Sequence, residues 1–195
     1  MTATREETIR SYLGDLIAVL DHVSQAVATQ AANDDFRRIA HAGRVIDNLH
    51  SVLIRQHAEL EAHVKGMGGA SGGGVLKDML STVAGALAGL YGKMRGETAS
   101  RMLRDDYTAL SFVTACSTML HTTALALNDS STAALTLRHI QEYPPLIMAL
   151  SELLPHAVVV DLAADKIPIV NLTAAEDAIR NLNDAWHGAS ASNLP

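Results

Sequence analysis

Four long stretches of this chain place apolar residues three and four positions apart, with few breakers inside them. In the first, Ile9, Leu13, Leu16, Leu20, Val23 and Val27 step by 4-3-4-3-4. That is the seam of an amphipathic helix packing at a shallow angle on its neighbours. Thr4 and Glu7 stand in the S/T-x-x-E spacing of a capping box, which starts the helix near Arg5; the pattern carries it to about Gln30. The second stretch runs from Asn33 or Asp34, both suitable N-caps, to about Lys65. There Ile39, Ile46, Leu53, Leu60 and Met67 recur every seven residues, with Ala42 and Leu49 as a second row. Extending that second row by sevens reaches Gln56 and His63. This helix is therefore expected to carry polar groups onto, or next to, its buried stripe, with His63 at least half buried and bonded to another helix or chain.

The third long helix is expected from Thr98 to Leu127, with Leu103, Leu110, Ser117 and Ala124 in one row and Tyr107, Thr114 and His121 beside it. The fourth starts at Asp129-Ser130-Ser131 and reaches about Asp165. Leu137, Ile140, Ile147, Leu150, Leu154 and Val158 keep helical phase across Pro144-Pro145 and Pro155. Each proline removes a backbone donor, so one bent element, or two helices nearly end to end, is expected. Helices of about 25 to 35 residues are roughly 37 to 52 Å long at 1.5 Å per residue. The economical arrangement is all-α, a four-helix bundle. Between its second and third helices lies the breaker Gly66 to Gly74, then a short helix from Val75 to about Met94. A long crossover there makes helices two and three parallel, which is the ferritin-like topology. Residues 1–165 form the bundle domain, and 166–195 a C-terminal extension with one short helix from Thr173 to Trp186.

Composition removes several classes of function. With 48% hydrophobic and 18% charged residues, general disorder is excluded, and 4% aromatics argues against a β-sandwich. Cys116 is the lone cysteine, so neither an internal disulfide nor a Cys-based zinc site is available. A net charge of -6 opposes a nucleic-acid partner. The first ten residues hold no apolar core of a secretory signal, and a cytoplasmic location is expected. The 22-residue uncharged run from Tyr107 to Asn128 is long enough to span a bilayer. Recurring Thr and Ser, with His121, favour a central soluble helix, and no integral membrane association is expected.

Candidate chemistry centres on histidine and glutamate. His57 and Glu61 share a helix face at i, i+4, as do Glu59 and His63; His139 and Glu142 stand at i, i+3. One helical turn can aim two such ligands at one ion, so these six residues are the metal candidates, with iron or manganese as the cofactor. A di-iron bundle, however, needs Glu-x-x-His on two helices, and Leu60 stands where the Glu before His63 would be. Asp15 and Asp21 lie off the first seam. His22 with His57-x-x-x-Glu61 fits the opening of a hemerythrin-like pattern, but Leu125 replaces the later histidine four residues after His121. The favoured expectation is no cofactor, with these side chains solvated or lining an interface. Cys116, mid-helix and without a nearby cation, reads as an inert thiol. Arg104, Asp105 and Asp106 beside Tyr107 read either as a salt-bridged helix surface or as a buried or interfacial ionic cluster, and His121 as bonded to a backbone carbonyl or facing a partner helix.

The segment from Leu49 to Leu162 resembles uncharacterised bacterial proteins of the ferritin-like superfamily, near its stress-associated families. The resemblance is carried by His57-Ala-Glu-Leu-Glu-Ala-His63, Arg101-Met-Leu-Arg-Asp-Asp-Tyr-Thr-Ala-Leu110, Met119-Leu-His-Thr-Thr-Ala-Leu-Ala-Leu127 and Arg138-His139. It implies a four-helix bundle, with carboxylate-bound iron in some members, and transfers the fold but no metal ligands to this chain. Together with the apolar, small-residue surfaces of Val75 to Gly92 and Tyr107 to Leu127, it points to a non-catalytic stress-response protein. Such a protein would act as a homo-oligomer through self-association. The alternative is a metal-dependent oxidoreductase or metal store.

Overall fold

A computed structural model describes residues 4–31, 36, 38–68 and 98–191. Among them are five helices and no strand: α1 (Arg5–Ala31), α2 (Ala42–Gly66), α3 (Ala99–Ala126), α4 (Ser130–Ala164) and α5 (Ala174–Ala191). The all-helical class read from the periodicity holds. The short helix expected at 75–94 and most of the glycine-rich stretch lie outside the described residues.

Local chemistry sets most helix ends. The capping box forms as spaced: the Thr4 backbone N–H donates to Glu7 Oε2 at 2.7 Å, and the Glu7 N–H donates to Thr4 Oγ1 at 3.2 Å. Asp129 caps α4, accepting from the Thr132 N–H at 3.0 Å. Thr98 makes no side-chain cap on α3. The Asp161 carboxylate does so from α4, accepting the Ala99 and Ser100 N–H groups at 3.2 and 3.0 Å. Orphan donors at a helix start are thereby satisfied from another helix.

The second helix departs from expectation. The described helix begins at Ala42, and its N-cap, His41, has φ 69°; the start expected at Asn33 or Asp34 falls on residues outside those described. Phe36 and Ile39 are buried in the core, yet they sit in a tight turn closed by Ile39 N–H to Phe36 O at 3.1 Å and Ala42 N–H to Ile39 O at 3.2 Å. Burying both side chains at a change of chain direction outweighs the helical phase that Ile39 shares with Ile46. By contrast, α4 runs as one helix through Pro144, Pro145 and Pro155. Pro144 and Pro145 stand on its exposed side.

Cross-helix bonds fix the directions. Arg5 at the start of α1 donates to the Asn128 carbonyl just past α3 at 2.6 Å, and Arg10 donates to the Gly68 carbonyl just past α2. The start of α3 meets the end of α4 through Asp161. Gln56 reaches Glu142, and His63 reaches Thr132. Helices α2 and α3 thus run parallel, and both run opposite to α1 and α4. Helix α1 packs on α2 and α3, α3 packs on α4, α2 meets α4 less extensively, and α5 packs on α4. The core is aliphatic, with Leu13, Leu20, Leu53, Leu60, Leu103, Leu110 and Leu150 wholly buried. By length and composition, α3 and α4 are each long and apolar enough to cross a membrane.

Candidate functional site

Midway along the molecule the aliphatic core gives way to a polar layer. In α2 the buried row Leu49, Leu53, Gln56, Leu60 places an amide where the period calls for a leucine. In α4 the inward row of Thr132, Thr136, His139, Tyr143, Leu146 and Leu150 does the same with an imidazole and a phenol. In α3 the row Leu103, Leu110, Ser117, Ala124 supplies a hydroxyl. Gln56, Ser117, His139 and Tyr143 are each wholly buried.

These groups bond to one another in a defined order. Tyr143 Oη donates to Gln56 Oε1 at 2.7 Å and lies 3.1 Å from Ser117 Oγ. Gln56 Nε2 donates to Glu142 Oε2 at 2.7 Å and, at 3.4 Å, to the His139 carbonyl. Since the carboxylate only accepts, donation runs from Ser117 through Tyr143 and Gln56 to Glu142. Burial pushes the Tyr143 phenol well above its usual value, so it stays a neutral donor.

A charged group closes the outer end. Arg55 grips Glu142 with Nη2 at 2.6 and 2.7 Å and reaches Glu59 Oε1 with Nη1 at 2.9 Å. Burial would raise the Glu142 carboxyl, but its bonds from Arg55 and Gln56 win and hold it below its usual value. The bond from His139, aided by Arg55, likewise keeps Glu59 low. His139 Nε2 stands 3.0 Å from Glu59 Oε2. Burial lowers the His139 imidazole in spite of that carboxylate, so the neutral ring donates Nε2–H. Its Nδ1 is buried without a hydrogen-bond partner. Beside this network a groove of about 650 Å³ opens between α2 and α4, lined by His41, Arg44, Asn48, Gln141, Glu142 and Leu146 among others.

A second polar contact lies about two turns down α2. His63 is partly buried, and its Nε2 meets Thr132 Oγ1 at 2.8 Å on α4. Thr132 Oγ1 in turn donates to Asp129 Oδ2 at 2.8 Å. His121 Nδ1 lies 3.0 Å from the Ala133 carbonyl and 3.2 Å from Thr136 Oγ1, both on α4, so it meets a backbone carbonyl and faces a neighbouring helix. Asp105 and Asp106 are buried, with Asp105 paired to Arg104 at 2.7 Å. Burial raises the Cys116 thiol, with Asp15 adding to the effect, so it is a poor nucleophile.

The six sequence candidates therefore separate. Glu59, His139 and Glu142 come together; His63 belongs to the Thr132 contact; His57 and Glu61 are partly buried and take no part in either set of bonds. Among the described residues no three His, Cys, Asp or Glu side chains are arranged to hold a metal ion. Where Glu59 and Glu142 approach, the Arg55 guanidinium lies between them, so as they stand these residues do not fit a bound metal. Arg55 and Tyr143 are the site residues that sequence reasoning missed; Ser117 was placed on the row in α3 but without a partner. The i, i+4 spacing of Arg55 and Glu59 was available as a signal; the reach across to Glu142 was not. No protein family, curated protein or solved structure matches this chain.

Proposed function

We propose that this chain is a non-catalytic, cytoplasmic helical-bundle protein that works by associating with itself, with a four-helix bundle of ferritin-like topology formed by α1 to α4. The parallel run of α2 and α3, joined through the long connection 67–97, supports that topology. The stress-response role rests on the resemblance of Leu49–Leu162 to stress-associated ferritin-like families.

The outward face of α3 carries the reading. From Thr108 to Ala126 its exposed residues bear no charge, and Phe112, Met119 and Leu125 stand 41%, 54% and 58% exposed. The hydroxyls interleaved with them are already satisfied. Thr108, Thr118, Thr122 and Thr123 each donate to the carbonyl four residues earlier at 2.8–2.9 Å. Such a face can be covered without stranding donors, and exposed apolar surface of this kind marks an interaction site. Leu137 on α4, with Val170 and Leu172 before α5, adds further exposed apolar surface.

Sedimentation at micromolar concentration tests this reading. The expected result is a dimer or larger, reduced towards monomer by Phe112→Ser with Met119→Ser at unchanged helix content. A monomeric wild-type chain, or partition of the chain into lipid vesicles instead of self-association, would overturn it.

A further inference from the structure

The outward face of α3 carries an accessible sulfur. Met119 stands between Phe112 and Leu125 along the helix and is 54% exposed. Of the other described methionines, Met102 is buried, and Met67 and Met148 are partly buried. The Cys116 thiol, one turn back, is partly buried, and burial keeps it protonated and so slow to react. Met119 is the sulfur of this face that a dissolved oxidant meets first. The hydrogen bonds around it decide what oxidation does. Thr122 Oγ1 donates its one proton to the Thr118 carbonyl at 2.8 Å, and Thr123 Oγ1 donates to the Met119 carbonyl at 2.9 Å. Thr108 and Thr118 spend their protons in the same way. His121 turns Nδ1 to the Ala133 carbonyl and Thr136 on α4. The exposed residues from Thr108 to Ala126 include no lysine or arginine. Beyond the weak Cys116 thiol, the described residues of this face hold no unspent side-chain donor for a new acceptor.

We propose that Met119 is a modification site, oxidised by peroxides to the sulfoxide, and that its oxidation releases the association of α3 faces. The inference rests on the self-association proposed above and names its regulation. The Met119 sulfur attacks one oxygen of hydrogen peroxide. The S–O bond forms as the O–O bond breaks, so sulfur is oxidised and the peroxide reduced. The proton on the transferred oxygen passes to the leaving hydroxide, which departs as water. The product oxygen is a polar acceptor on a side chain that was apolar. Hydrated on an uncovered face, it costs nothing. Covered by a second copy it is stranded, because its own face has no donor to give, and a two-fold pair strands it twice. Oxidation acts on the uncovered chain and keeps it uncovered.

Sedimentation before and after treatment with hydrogen peroxide, with peptide mass spectrometry to place the added oxygen, tests this. Wild type should associate, gain oxygen at Met119 ahead of Met67, Met102 and Met148, and then associate at least about tenfold more weakly. Reduction by a methionine sulfoxide reductase with a thiol should restore the association. Met119→Leu keeps the side chain apolar and close in volume; it should associate and be indifferent to peroxide. Met119→Gln should behave as the oxidised chain at unchanged helix content. A wild-type chain that is monomeric before treatment overturns the self-association reading and this inference with it. A chain that stays associated with Met119 oxidised overturns this inference alone. So does a Met119→Leu chain that peroxide still dissociates, or oxidation of Met67, Met102 or Met148 ahead of Met119.

Discussion

Replacing Gln56 by methionine probes the buried layer with little change in side-chain shape. The substitution removes the acceptor of the Tyr143 hydroxyl, 2.7 Å away, and the donor to Glu142, also 2.7 Å away. Tyr143 is wholly buried and keeps only Ser117, at 3.1 Å. Leaving a buried polar group short of a partner costs about 1–3 kcal/mol. For a chain of this size, ~2 kcal/mol lowers the melting temperature by roughly 4–8 °C. Tyr143→Phe alone should cost a similar ~1–3 kcal/mol, because it strands Gln56 Oε1 in the same dry layer. The two losses should not add. In the double variant both stranded groups are gone, and Glu142 still has Arg55. Its cost should fall short of the sum by at least ~1 kcal/mol, within the range seen for directly bonded pairs. The assay is a double-mutant cycle by urea unfolding, followed by far-UV circular dichroism at one fixed protomer concentration, since association would shift apparent stability. Costs that add to within about 0.5 kcal/mol would refute the coupling drawn here from Ser117 through Tyr143 and Gln56 to Glu142.

Two further outcomes follow from the electrostatics and the caps. His139 has its folded value lowered by burial, so the unfolded chain binds the proton more readily; its contribution is complete above the unfolded value, about 6.5, and is lost as pH falls below it. Glu59 and Glu142 are also lowered, so their contributions are present above the ordinary carboxylate range and are lost as pH falls through their folded values. The urea midpoint should decline from pH 7 to 5.5 with a slope that is shallower in His139→Gln, and equal slopes would count against the neutral buried imidazole. Asp161→Ala should destabilise by ~1 kcal/mol, since it uncaps the Ala99 and Ser100 N–H groups; a melting temperature within 1 °C of wild type, where roughly 2–4 °C is expected, would show that water replaces the cap without cost.

Much of the polar layer was legible before the fold was seen. A strict period of seven put Gln56 on the buried row, and the structure has it wholly buried. The row Leu103, Leu110, Ser117, Ala124 is buried in full for the same reason. The start of α2 was not legible. The tight turn that buries Phe36 and Ile39 comes just before it and sets that start at Ala42. The candidate metal residues pair differently along the sequence and in space. Residue type and one-turn spacing grouped His57 with Glu61 and Glu59 with His63, pairings within one helix. The structure instead groups Glu59 with His139 and Glu142, across two helices.

Helix period, the caps of α1 and α4 and the sites of polar intrusion are properties of neighbours a few positions apart, and the amino-acid sequence by itself determined them. Thr4 with Glu7 and Asp129 with Thr132 act over three residues, so their chemistry is complete in the local chain. What Arg55 does was decided only by tertiary structure. Its partner Glu142 is 87 positions away, and that contact exists because α2 and α4 run antiparallel in one register. Register is set by the packing of many apolar side chains at once. The same packing aims a guanidinium at two carboxylates, leaves an imidazole buried beside them, and turns the uncharged face of α3 outward.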